Sequence, residues 1–237
     1  MFEFDFSLLL RGQYHEMLVA GLLLSLKLAA VTLVFAVPLA MLVALLRLAP
    51  LRALQWLGFA YVESIRNVPL LAHMLFWYFA APEWLPEDLK AWLYAGNIEA
   101  ASAIVALTLY TAAFMSEDMR SGIRAVPTVQ LEAARALGFG YLASMRLVIL
   151  PQALRNMLPS LVNQFVSTIK ETSLGYIIGL AEVSFIASQI NTQVFTLPTQ
   201  VYLILGLTYF ILCFGLSRFA FWLERRQAQR GNPKEAR

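Results

Sequence analysis

The chain has 237 residues, 59% of them hydrophobic and 14% charged, with a formal net charge of +3. Soluble domains run at roughly 45–50% apolar and about 25% charged, so this composition argues against a water-soluble enzyme and against a disordered chain. At about 20 apolar residues per spanning helix, the length accommodates about five or six spans and no sizeable soluble domain. The single cysteine, Cys213, lies in an apolar run, which leaves neither a disulfide framework nor a cysteine-based metal site.

In chain order, the opening MFEFDF carries Glu3 and Asp5 where a signal peptide would carry Lys or Arg, so no cleaved signal is expected. Five spans are predicted, over residues 17–46, 56–81, 100–119, 158–180 and 202–222. Their apolar runs are continuous and lack period-two alternation, which makes them helices and not barrel strands. Lys27, in the first, is expected to snorkel toward the outer surface or to face a neighbour. Between the second and third, 82–97 reads as a short outside loop or interfacial helix, with Trp84 and Trp92 at headgroup level.

Charge is distributed by side. One set of segments carries Arg47, Arg52 and Arg66, then Arg120, Arg124, Arg135, Arg146 and Arg155, then the tail Arg225, Arg226, Arg230, Lys234 and Arg237. The opposite set carries Glu3, Asp5, Glu16, Glu83, Glu87, Asp88 and Glu99 against Arg11 and Lys90 alone. The positive-inside rule then puts the N-terminus outside and the C-terminus in the cytoplasm, in agreement with an odd number of spans. As single residues these charges are read as topology signals and solvated loops. The whole is expected to be one transmembrane domain over 1–237, all-α.

Three features do not fit a plain bundle. Glu63, Arg66, Asn67 and Pro69 interrupt the second span, and Pro69 both lacks a donor and disfavours helix at Val68. A broken helix leaves backbone groups that only a cavity or protein neighbours can satisfy. His73 follows; a lone histidine in such a run is more often hydrogen-bonded packing than a ligand. In the third span, Glu117 and Asp118 precede Arg120 and are either helix-end charges or the lining of an inner mouth. The fourth span carries Asn163, Gln164, Ser167, Thr168, Lys170, Glu171, Thr172 and Ser173. Lys170 would lie about 18 Å along a helix starting at Leu158, near mid-membrane, where a charge costs at least ~2.5 kcal/mol. Two readings stand: a structural Lys170–Glu171 pair or snorkelling charges, and a polar substrate pathway with Lys170 open to a carboxylate. Gly175 and Gly179 then have the small-xxx-small spacing of close helix contacts.

The segment between the third and fourth spans, about 120–157, is patterned for structure. Pro127 opens and Gly138 closes the helical TVQLEAARALG, and a second helix is predicted over about 141–150, stopping at Pro151. Leu131, Ala134, Leu137, Leu142, Met145 and Leu150 supply apolar knobs, for a hairpin lying on the membrane or for docking a cytoplasmic partner.

This segment carries a resemblance. Glu132-Ala133-Ala134-Arg-Ala-Leu137-Gly138, nine residues, then Val148-Ile149-Leu150-Pro151 is similar to the EAA loop of bacterial ABC importer permeases, departing only by Val148 for isoleucine. IRNVPLLAHMLFWYF (65–79, with Leu71, and with His73 in the usual Gln place), AFMSEDMRSGI (113–123, with Glu117 and Arg120 on the pattern) and TIKETSL (168–174) resemble the polar amino acid permease subfamily, and 62–87 looks most like its glutamate/aspartate members. The resemblance implies a multi-pass subunit of the bacterial cytoplasmic (inner) membrane, without catalysis of its own. Its EAA helix (Glu132, Ala133, Ala134, Leu137, Gly138, with Leu150 and Pro151) would be a coupling helix seated on a cytoplasmic ATPase dimer. A second permease chain, identical or paralogous, would complete a pathway drawing on Leu71, His73, Glu117, Asn163, Ser167, Lys170, Glu171, Thr172 and Ser173. An external solute-binding protein would deliver the substrate. No P-loop motif is present in the chain, so ATP and Mg belong on the partner and no cofactor is expected here; membrane lipid is an expected partner and nucleic acid is not. The rival is an ion-coupled secondary amino acid transporter using Glu171 or Glu117, which would have no use for the EAA loop and for which no internal repeat is visible.

Overall fold

The computed structural model describes residues 6–194 and 197–231; Glu3, Asp5, Lys234 and Arg237 lie outside them. The described residues are helical with no strand: α1 (Ser7–Leu10), α2 (Gln13–Leu48), α3 (Arg52–Arg66), α4 (Leu70–Leu75), α5 (Glu87–Ala95), α6 (Ile98–Arg124), α7 (Thr128–Ala136), α8 (Tyr141–Ser144), α9 (Leu150–Glu171), α10 (Val183–Gln193) and α11 (Pro198–Gly231). Among them α2, α6 and Pro198–Trp222 of α11 are long and apolar enough to cross a membrane. The run Tyr141–Ile178 with Val183–Gln193, bent by 48°, makes a fourth if the pair is counted as one span.

Helices α2, α6 and α11 contain the predicted spans 17–46, 100–119 and 202–222. The predicted span 56–81 is cut where Pro69 requires. Helix α3 ends at Arg66, Asn67 donates its side-chain amide to the Glu63 carbonyl at 2.8 Å, and α4 restarts after Pro69. A π turn at Phe76–Ala80 and a 3-10 turn at Ala81–Trp84 finish the segment. Helix α5 occupies the predicted 82–97 loop with Trp84 and Trp92 exposed. There Lys90 donates to Glu83 at 2.6 Å, and this hydrogen bond holds the ammonium pKa above its ordinary value.

One boundary differs from expectation. The second loop helix does not stop at Pro151, and the helix that holds the predicted fourth span starts well before 158: α9 begins at Leu150 and runs through both Pro151 and Pro159. The reason is a π turn, Met145–Ile149, whose i→i+5 bonds widen the helix just ahead of Pro151. The widened turn relieves the clash of the Pro151 ring with the preceding carbonyl and lets the helix continue without that donor.

The chain forms two compact units, each from three stretches. The first unites 1–35, 68–110 and 166–215. Leu28 of α2, Leu70 and Met74 of α4, Leu107 of α6, and Ile178 and Leu180 form one core; Leu9, Ile186, Ile190 and Val201 form another. The second unites 36–67, 111–165 and 216–237, with a core of small and flexible residues: Ala44, Ala112, Ala113, Met115, Ala153 and Met157 are buried. Small residues let α6 and α9 approach closely. A Cβ on Gly122 would sit 2.6 Å from the Met157 Cβ and 3.2 Å from the Ala153 carbonyl oxygen. Gly122→Leu is therefore expected to destabilise by at least the roughly 1–3 kcal/mol of core overpacking. A drop in detergent melting temperature would register it, whereas an unchanged melting temperature would mean α6 and α9 do not touch there.

Candidate functional site

Helix α7 is built as its sequence suggests. Pro127 is the N-cap, and the helix closes at Leu137 with Gly138 at φ +85°. The Gly138 N–H donates to the Arg135 carbonyl at 2.9 Å and the Phe139 N–H to the Ala134 carbonyl at 3.1 Å. These two bonds are the Schellman arrangement, which needs a left-handed residue at the position Gly138 holds. Ala134 is buried, while Glu132, Ala133 and Leu137 are exposed. Leu137 (79% exposed) and Leu142 (81%), joined by Val129, Leu147 and Leu150, form an apolar surface around this turn. Pro151 is exposed beside Leu150. So many exposed large apolar side chains on one helix–turn–helix mark an interaction surface, with protein or with membrane.

In the first unit the structure joins the two irregular backbones flagged by sequence. Helix α4, which follows the Pro69 break, packs against the 3-10 turn Thr172–Ile178 at the end of α9. Leu71 is exposed on α4, and His73 is half-buried, edge-on to the Tyr110 ring at 6.1 Å. Thr172 and Ser173 donate their hydroxyls to the Ile169 and Lys170 carbonyls at 2.8 and 2.6 Å, closing the end of α9. Lys170 is exposed, and Ser167 is half-buried. Glu171 is half-buried, with Oε2 enclosed and without a hydrogen-bond partner. No ion pair joins Lys170 to Glu171 among the described residues, so the structural pair is not made as a direct contact. An enclosed carboxylate oxygen without a partner is costly, which makes Glu171 the residue here with unmet capacity for a donor. Asn163 is exposed on the part of α9 that belongs to the second unit.

Gly175 and Gly179 do not form a helix-contact pair. In a 3-10 turn residues repeat every three positions, so i and i+4 do not share a face. Gly175 leaves room for Leu180 within the turn, where a Cβ would lie 2.7 Å from Leu180 Cδ2, and Gly179 ends it at φ +81°.

Glu117 is not a simple helix-end charge. It takes two hydrogen bonds from Arg120 Nε at 3.0–3.1 Å, and Arg47 Nη1 lies 3.2 Å from its Oε1. Arg66 stacks on Phe114, its guanidinium carbon 4.7 Å from the ring centroid. All of these belong to the second unit.

One group escaped sequence reading. Glu182 is fully buried, and its Oε1 accepts from the Phe185 N–H at 2.9 Å, capping α10. Oε2 accepts from Tyr209 at 3.2 Å and lies 3.4 Å from Ser25 Oγ. Ser25 in turn accepts from the Val183 N–H at 3.3 Å, and Ser184 bonds Tyr209 at 3.2 Å. The node ties α2, α10 and α11 together. Its only local signal is an acidic residue just ahead of an apolar helix, a weak cue for an N-cap.

The comparisons agree with this architecture. Residues 36–229 match the family described as the binding-protein-dependent transport system inner membrane component. The probable glutamine ABC transporter permease protein GlnM of Bacillus subtilis is 36% identical over 94% of this chain and 94% of its own length. The glutamate/aspartate import permease protein GltK of Escherichia coli is 34% identical over 96% of this chain and 100% of its own. The crystal structure of an amino acid ABC transporter with histidines superposes with a TM-score of 0.80 at 30% identity, over 94% of this chain and 98% of that one. The chain is an all-helical membrane transport component rather than an enzyme, and it belongs to the family of inner membrane components of binding-protein-dependent transport systems.

Proposed function

We propose that this chain is the permease subunit of an ATP-driven importer of polar amino acids. It has five spans, the N-terminus outside and the C-terminus in the cytoplasm. The broken segment 52–84 serves as the second span, and α9 with its 3-10 end serves as the fourth. The turn after α7 is a coupling element, with Glu132, Ala133, Ala134, Leu137, Gly138, Leu150 and Pro151 shaping what an ATPase dimer grips. A second permease chain, a copy or a paralogue, faces this one, and an external binding protein delivers the substrate. ATP and Mg stay on the ATPase. The carrying observation is the Gly138 turn with Leu137 and Leu142 exposed, in a chain whose family is binding-protein-dependent. ATP binding supplies the difference in free energy between inward- and outward-open states.

Within that reading the pathway draws on Leu71, His73, Glu117, Asn163, Ser167, Lys170, Glu171, Thr172 and Ser173. The exposed Lys170 ammonium suits a substrate carboxylate, and the unpartnered Glu171 oxygen suits a substrate ammonium. Glutamate or aspartate is the substrate favoured by the 62–87 segment. Glutamine is the second reading, because the relative named for glutamine is as similar as the one named for glutamate and aspartate.

The test is purification of the tagged chain in gentle detergent, mass spectrometry of what accompanies it, and reconstitution with binding protein. Co-purification of a P-loop ATPase and ATP-dependent uptake are expected, and uptake without ATP would instead make the chain a secondary transporter. In the same assay Lys170→Met is expected to reduce glutamate uptake about tenfold, the order of one lost charge-assisted hydrogen bond, and glutamine uptake less. Equal uptake of glutamate by both proteins would return Lys170 to a snorkelling charge.

A further inference from the structure

A basic hollow in the second unit is not accounted for by transport. It has a volume of about 480 Å³ and is lined by Arg47, Arg52, Arg120, Arg124, Trp56 and Phe59. Among the described residues the one carboxylate in ion-pair contact with any of these arginines is Glu117, which serves Arg47 and Arg120. Arg52 and Arg124 have no ion pair among the described residues, and both are exposed. A topology signal needs only charge, whereas this is a formed site. The Gln55 side chain donates to the Ala49 carbonyl at 2.7 Å and pins the turn between α2 and α3. The Arg47 guanidinium lies 5.3 Å from the Phe59 ring centroid, and Trp56 packs edge-on to Phe59 at 6.2 Å. Gly58 leaves the room for Arg47, since a Cβ there would lie 3.0 Å from its side-chain carbons.

Depth and surroundings narrow the ligand. Arg47 and Arg124 are in the last turns of α2 and α6, the ends of two helices long and apolar enough to cross a bilayer. Beside the arginines, Trp56, which is 70% exposed, supplies an apolar wall of the hollow on α3. Guanidinium groups suit phosphate oxygens in bidentate fashion, and basic pockets between spanning helices bind anionic headgroups. We propose that this hollow binds the phosphate of an anionic phospholipid headgroup, with an acyl chain lying against Trp56.

The test titrates the delipidated intact transporter with short-chain phosphatidylglycerol, with phosphatidylcholine and with inorganic phosphate, read by native mass spectrometry. Phosphatidylglycerol is expected to bind and to resist competition by phosphate. The Arg52→Gln/Arg124→Gln double variant should bind it roughly thirtyfold more weakly, at about fivefold per basic side chain near an anionic surface. Arg218→Gln/Arg225→Gln, which removes the same charge from α11, should bind it as the unaltered protein does. Both variants sit on exposed ends or faces, and size-exclusion profiles check their folding. Equal binding of the two lipids, or equal loss in both variants, overturns the site. Displacement by phosphate overturns the lipid as its source. Loss of the ATPase from the Arg52/Arg124 variant with lipid retained would assign the hollow to a protein contact and overturn the proposal.

Discussion

Glu182→Ala is expected to lower the stability of the detergent-solubilised protein by about 3 kcal/mol. The cap on α10 contributes roughly 1 kcal/mol, and hydrogen bonds to a carboxyl about 1.5–3 kcal/mol. Tyr209 would lose its acceptor at 3.2 Å, and the Phe185 N–H its acceptor at 2.9 Å, in a site with no exposure of the glutamate itself. For a chain of this size 1 kcal/mol shifts the melting temperature by about 2–4 °C, so a fall of roughly 6–12 °C should be seen. Glu182→Gln keeps one acceptor oxygen for the cap and should recover much of the loss. A shift below about 2 °C for the alanine variant would show that water or a rearranged neighbour satisfies the node equally well.

Gly138→Ala is expected to uncouple transport while the protein stays folded and in the membrane. At φ +85° an L-residue carries a backbone penalty of about 1–2 kcal/mol, and nothing lies within 4 Å of a Cβ built there. The strain is thus purely conformational, and it is relieved by abandoning the two bonds that end α7 and set the direction of Leu137. That corresponds to a loss of roughly 5–30-fold in the population of the docking turn, visible as lost ATPase recovery and lost ATP-dependent uptake. Gly140 provides the control, because its φ of −66° suits any residue and a Cβ there also meets nothing. Gly140→Ala should transport normally, and Gly138→Asn, whose residue tolerates the left-handed region, should recover part of the function. Replacing Glu132, which is exposed on the same helix, should uncouple similarly. If Gly138→Ala and Gly140→Ala behave alike, the turn is not what the ATPase grips.

Much of this molecule is local chemistry and was legible in the chain. Composition and apolar runs identify a membrane protein, and α2, α6 and α11 follow from runs long enough to need no tertiary help. The break at Pro69 follows from a missing donor. The bounds of α7 follow from Pro127 and Gly138, because a fixed φ at one end and a left-handed residue at the other are properties of single residues. The loop pattern from Glu132 to Pro151 carries the family for the same reason: its information is spacing along one strand of sequence.

The tertiary structure decided what depends on partners far apart in the chain. The continuation of α9 through Pro151 turns on a widened helical turn, which sequence does not announce because π and α turns use the same residues. Gly175 and Gly179 have the spacing of a helix contact, yet the 3-10 turn puts them on different faces, while Gly122 makes the close approach by facing Met157. Lys170 and Glu171 are neighbours in sequence and do not pair, because adjacent residues on a helix point in different directions. Glu182 meets Ser25 from 157 positions away and Tyr209 from 27. Sequence alone placed its residue types and its charge; only folding could decide which donors would surround it, since burial and hydrogen-bond geometry are properties of the packed neighbours.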